Sequence, residues 1–191
     1  MLTQTHRFAS FGLLAEARAW GRDASGGPVG DLGRYRVFLS TFEKQLDGKR
    51  RIVVPQDFRA LAAAPFGGVF CFPSIEADCI EGGGRALFDQ YKALIDDVPL
   101  GDPLRLPLET VVYGGMHELG FDTAGRITLP EILCDAFGLS DWVAVVGLGD
   151  RFQIWEREAF RAHRAEQRQL AREGLAALRL QQRAQRLGGA G

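Results

Sequence analysis

The segment Phe42 to Pro55 recurs at His117 to Pro130, 75 residues further along, and this repeat constrains the fold more than any other feature of the chain. Glu43, Leu46, Asp47, Arg51, Ile52, Val54 and Pro55 match Glu118, Phe121, Asp122, Arg126, Ile127, Leu129 and Pro130 at the same offsets. So many coincident positions mark an internal duplication. An aspartate, three residues and then Arg-Ile reads as a charged turn between two strands, and the proline that follows opens a helix. Whatever the turn does is done twice per chain.

With 191 residues and 46% hydrophobic content, the chain can bury one core of ordinary size or two small cores fused into one body. The formal charge of -1 conceals a basic C-terminal stretch after an acidic middle, so net charge by itself does not decide for or against nucleic acid. Cys71, Cys79 and Cys134 are odd in number and lack CxxC spacing, which argues against a disulfide framework or a zinc ribbon and fits the reducing cytoplasm. The apolar run Phe11 to Ala15 is short and is followed by Glu16 and Arg18, so a soluble cytoplasmic protein with no membrane partner is expected.

Along the chain, residues 1–36 read as a flexible N-terminal extension, ending in the Gly-rich run Gly21 to Gly33. The first repeat, 37–109, opens with a strand over Val37 to Leu46 that places Phe38, Ser40, Phe42, Lys44 and Leu46 on one face. After the turn Asp47 to Arg50 come a return strand Arg51 to Val54 and a short helix turning Phe58, Leu61 and Ala62 inward. A strand follows at Val69 to Phe72, then an edge strand and loop at Cys79 to Gly84, a helix from about Arg85 to Ile95, and a connector over Asp97 to Pro107. In the second repeat, 110–156, Val111 to Phe121 and Arg126 to Leu129 form the equivalent hairpin, followed by a helix over Glu131 to Phe137. Trp142 to Gly147 and Phe152 to Trp155 are the last strands, joined by the turn Leu148 to Arg151. The final segment, 157–191, is a helix to about Leu187 and a tail, with Arg157, Arg161, Arg164, Arg168 and Arg172 along one face.

The repeated turn suggests DNA. A tip bearing Lys49, Arg50 and Arg51 in one copy and Arg126 in the other fits the major groove, where a two-stranded ribbon enters and Arg bonds guanine O6 and N7 together. A bare carboxylate facing phosphates would weaken such binding, so Asp47 and Asp122 are expected to turn inward, accepting turn amides and orienting the arginines. The plainer alternative is that each Asp and Arg only caps a tight turn, with Glu43 and Glu118 pairing with nearby cations on the strand faces.

Other segments carry less. Gly147-Leu148-Gly149-Asp150-Arg151 lacks the Gly-Lys-Ser/Thr ending of a phosphate loop, and Gly82-Gly83-Gly84 precedes a helix without a further anion signal. His6, His117 and His163 have no spacing typical of a metal or nucleophile site. No catalytic residues, metal ligands or cofactors are expected, and the C-terminal arginines read first as a solvated helix face.

The two Asp-x-x-x-Arg turns, the apolar-x-apolar-Pro run after each, and Val145 to Trp155 together resemble the MraZ family, from Val37 to about Phe160. The resemblance implies a mainly β, α+β fold: a duplicated AbrB-like swapped-hairpin barrel with short helices and a long C-terminal helix. It also implies a nucleoid-associated transcriptional regulator, most often a repressor, of the division and cell-wall gene cluster including its own operon. Such a regulator binds promoter direct repeats in double-stranded DNA as a ring-like homo-oligomer. Arg51 and Arg126 would lie on the DNA-reading surface, shaped by Asp47 and Asp122, with Lys49 adding charge. Three departures stand out. Arg50 replaces the usual Gly before the first Arg, which bears on the geometry of that turn. Ile80 to Gly84 stands where an aromatic-rich closing strand is usual, which bears on the barrel edge. Residues 1–36 have no counterpart, which makes Val37 a candidate start.

Two other readings compete. An AbrB-like antitoxin would use the same turns on DNA and a tail on a toxin, though it would usually carry one such motif and an acidic tail. A small-molecule or phosphate-binding enzyme would use the Gly-rich turns instead.

Overall fold

The computed structural model describes residues 37–62 and 66–188, so the N-terminal extension expected over 1–36 lies outside the described residues. In chain order the elements are β1 (Thr41–Gln45), β2 (Arg51–Val53), α1 (Gln56–Ala62), β3 (Gly68–Pro73), β4 (Ile80–Gly83), α2 (Arg85–Asp96), α3 (Arg105–Gly115), β5 (His117–Gly120), β6 (Arg126–Thr128), α4 (Glu131–Ala136), β7 (Trp142–Gly147), β8 (Phe152–Glu156) and α5 (Arg157–Gly188). The chain is mixed α+β and mainly sheet, with a long C-terminal helix. Among the described residues no helix is long and apolar enough to cross a membrane.

The duplication appears as pseudo-two-fold strand pairing. A six-stranded sheet runs β1-β7-β8-β4-β3-β5, and β2 pairs with β6 in a separate ribbon. Each outer pair, β1 with β7 and β5 with β3, joins a strand of one repeat to a strand of the other. The strands flanking each turn therefore do not form the local hairpins expected from the sequence. A three-residue return strand makes too little contact to hold a hairpin alone. Pairing β2 with β6 instead sets Ile52 opposite Ile127, and both are buried in the core.

Beneath the ribbon, the rings of Phe38, Phe42, Phe58 and Phe152 meet at centroid separations of 5.0 to 5.7 Å. Offset and edge-to-face packing at such separations adds to the apolar area each ring buries. Of the expected first strand, Phe38 and Leu46 do face the core, but Ser40 is exposed with φ 75° and breaks the strand at its start.

Two expectations fail here. Residues 111 to 115 belong to α3 and not to a strand, because Leu108 and Val112 fall one helical turn apart and pack with Phe72, Leu87 and Ile95. Pro107 sits in the first turn of that helix, where no intrahelical amide donor is required. Second, β4 is no edge strand; it lies between β8 and β3 and is buried along its length. Gly82 is what permits this. A Cβ there would stand 2.5 Å from the ring of Phe152, its partner in β8.

Helix α5 begins where the Glu156 carboxylate accepts the Ala159 amide at 2.7 Å, and Phe160 anchors it against Trp155. Arg157 lies over the Trp142 ring, beside Gln45, while Arg161 pairs with Glu43 further back on β1. The helix thus runs antiparallel to β1. Its arginine face leads away from the turn at Asp47.

Candidate nucleic-acid interface

Each turn is built around one carboxylate. In the first, Asp47 Oδ1 accepts the amides of Lys49 and Arg51, both at 2.9 Å, and Oδ2 accepts Arg51 Nε at 2.8 Å. In the second, Asp122 Oδ1 accepts the amides of Ala124 and Arg126, both at 2.9 Å, and Oδ2 accepts Arg126 Nε at 2.7 Å. Backbone bonds repeat as well: Arg50 N–H donates to Asp47 O at 2.8 Å and Gly125 N–H to Asp122 O at 2.9 Å. The aspartates face inward, and the arginines are held by the turn that presents them.

The electrostatics follow from this geometry. The Arg51 side chain and amide hold the Asp47 carboxyl down at about 2, and Asp47 in turn raises the Arg51 pKa. Asp122 is likewise lowered, first by the Arg126 amide. Hydrogen bonds from a charged donor favour the ionised form. Both carboxylates stay charged at neutral pH.

In the first turn Arg50 takes φ 58°, the left-handed backbone that Gly125 takes at φ 73° in the second. The substitution of Arg for Gly therefore leaves the turn intact, at a conformational cost of about 1–2 kcal/mol. The inter-repeat contact is the same in both turns: Arg50 O accepts the Leu129 amide at 2.8 Å, as Gly125 O accepts that of Val54 at 3.1 Å.

Pairing of β2 with β6 brings the two turns together. Arg51 stands opposite Thr128 and Val53 opposite Arg126, while the intervening isoleucines point into the core. The outward face thus carries Arg51 and Arg126 at diagonal positions, with their side chains 29% and 32% exposed. Nε of each is committed to an aspartate, and Arg51 Nη2 also lies 2.7 Å from Asp47 Oδ2, which leaves Nη1 of Arg51 and the outer N–H groups of Arg126 for an acceptor. Lys49 is exposed beside them, and Lys44, Asp47, Arg51 and Arg126 line one shallow depression. Arg50 differs. It is partly covered, sits 3.7 Å from Glu131, and its Nε is buried with no hydrogen-bond partner among the described residues.

The remaining sequence candidates are placed elsewhere. The turn Leu148 to Arg151 closes with Leu148 N–H donating to Arg151 O at 2.9 Å, and the Arg151 guanidinium turns to the buried Glu81 at 3.4 Å. A Cβ on Gly83 would lie 2.8 Å from Leu87 and one on Gly84 2.8 Å from the Ala62 carbonyl, so packing fills the space over that Gly-rich run. Glu43 pairs with Arg161, as the plainer reading expected. Burial pushes the thiols of Cys71 and Cys79 up to about 12, which leaves them inert. Sequence reasoning missed Arg59, in α1, whose guanidinium lies against Gly125. Four residues after Pro55 is the only sequence signal it carries.

The fold and this surface define a duplicated, strand-swapped α+β protein that presents paired, carboxylate-braced arginines on a two-stranded ribbon. A family model described as "MraZ protein, putative antitoxin-like" matches residues 112–182. The chain is similar to the protein named transcriptional regulator MraZ of Phenylobacterium zucineum, at 76% identity over 155 residues, covering 81% of this chain and 97% of that one. It is 71% identical over 153 residues to the protein of that name from Caulobacter vibrioides, covering 80% and 98%. The corresponding protein of Xanthobacter autotrophicus is 38% identical over 137 residues, covering 71% and 87%. The chain belongs to the MraZ family.

Proposed function

We propose that this chain is a sequence-specific, DNA-binding transcriptional regulator. It acts as a repressor of the division and cell-wall gene cluster, its own operon included, and binds promoter direct repeats as a ring-like homo-oligomer in the cytoplasm, on the nucleoid. The observation that carries the reading is the β2–β6 ribbon, with Arg51 and Arg126 diagonal on its outward face and each braced by an aspartate. A two-stranded ribbon is one of the shapes the major groove admits, and Arg is the residue type that reads guanine there. Lys49 and Arg50 add charge for the flanking phosphates.

One ribbon makes few contacts and the chain is not basic overall. Affinity is therefore expected from several ribbons engaging several repeats, where a second engagement gains about 10² to 10⁴ through effective concentration. Footprinting of the DNA upstream of its own gene, followed by titration of one repeat, of phased repeats and of repeats separated by an added half turn, tests the reading. Phased repeats should bind far more tightly than the other two. Binding no tighter than to random DNA would overturn it.

A further inference from the structure

The two turns differ at their left-handed position, and there the difference is reciprocal. The first half has Arg50 as the left-handed turn residue and Arg59 four residues after Pro55 in its helix, whereas the second half has Gly125 and, four residues after Pro130, Cys134. Strand swapping sets each turn against the helix of the other repeat. The Arg50 charge acts on the Cys134 thiol, and the Arg59 guanidinium lies against Gly125. A Cβ on Gly125 would stand 2.3 Å from Arg59 Nη1, 2.5 Å from Cζ and 2.8 Å from Nε. Gly125 thus suits the left-handed backbone and leaves its side-chain space to the guanidinium, which any side chain there would have to displace. Each turn carries one extra guanidinium, supplied by the turn itself in one half and by the opposite helix in the other.

Arg59 is half-buried, and its Nε donates to Val54 O at 3.2 Å. Among the described residues it forms no ion pair with a carboxylate. The charge stands one residue from Arg126, unneutralised, at the rim of the ribbon. We infer that Arg59 is a further DNA-contacting residue, which supplies the second turn with the phosphate-binding guanidinium that Arg50 supplies to the first. The inference rests on the DNA-binding reading above. It assigns Arg59 to the sugar-phosphate backbone rather than to base edges, because its Nε is tied to main chain beneath the turn and it sits beside the residue that reads.

Salt dependence separates this role from a purely structural one, since each lost phosphate contact lowers the log–log slope of affinity against salt by about 0.9. R59Q keeps a donor for Val54 O but removes the charge. It should weaken binding to upstream operator DNA and to random duplex by the same factor and reduce the slope by about one contact, at an unchanged melting temperature. R59K should retain the slope. The double variant G125R/R59C rebuilds in the second turn the arrangement of the first and should restore it. An R59Q slope equal to wild type, with operator preference intact and lost on R126A, would overturn the role of Arg59 alone. A wild-type protein that does not prefer operator to random duplex would overturn the reading beneath it.

Discussion

Glu81 stands opposite Gln153 in the β4–β8 ladder, so that two buried polar side chains face each other where the two halves of the sheet meet. Glu81 accepts the Tyr91 hydroxyl at 2.7 Å and the Ser74 hydroxyl at 3.1 Å, and Arg151 supplies the counter-charge. Gln153 instead accepts Trp155 Nε1 at 2.9 Å. Glu81→Ala leaves two hydroxyls without their acceptor and takes the buried counter-charge from Arg151, which keeps Glu76 and Asp150, and should cost about 2–3 kcal/mol of stability. The loss stays below that of a fully buried severed pair because Arg151 still reaches solvent. Glu81→Gln keeps an acceptor and should lose less. Urea unfolding of both variants measures the difference, and equal losses would show that the charge alone matters.

Arg126 and Lys49 should differ in kind. Discrimination by a bidentate Arg–guanine contact is worth about 1–3 kcal/mol, so Arg126→Ala should narrow the preference for operator over random DNA. Lys49→Ala should weaken both alike and flatten the salt dependence by about one contact. Competition titrations at several salt concentrations check both. An unchanged specificity ratio for Arg126→Ala would remove it from base reading.

Asp122 serves two clients, the turn amides through Oδ1 and Arg126 through Oδ2. Asparagine can keep the amide acceptor but loses the charge that steers the guanidinium, whereas alanine loses both. Operator affinity should fall less for Asp122→Asn than for Asp122→Ala, and the thermal midpoint should follow the same order. The reverse order in affinity would show that Asp122 does more than shape the turn.

Acid should loosen both turns. A carboxyl whose pKa is depressed by folding contributes stability above its unfolded value near 4, and that stability is lost as pH falls through the folded value. For Asp47 the window therefore runs from about pH 4 down to about 2, and the lowered Asp122 acts in the same direction. Denaturant midpoints measured across this range should drop less steeply for Asp47→Asn than for wild type. Between pH 6 and 8 neither carboxylate titrates, so operator affinity should not change on their account.

The repeat, the two turns, the inward aspartates and the outward arginines were legible from sequence, because each is local: Asp-x-x-x-Arg folds on itself within five residues. The helices after Pro55 and Pro130, and α2 and α5, were also visible, since their apolar or charged spacings are helical. Strand partners were not. Which edge β2 meets depends on apolar area buried by Ile52 and Ile127 from opposite repeats, and no local pattern encodes a contact across 75 residues. The short apolar run at Val111 and Val112 suits helix and strand alike, and only its seat against Phe72, Leu87 and Ile95 made it helical. Glycines hid β4, because its burial rests on the Phe152 ring occupying the space a side chain would take. The same applies to Arg59. Its sequence position marks an ordinary helix residue, and only strand swapping carries its charge to the turn of the other repeat, against Gly125.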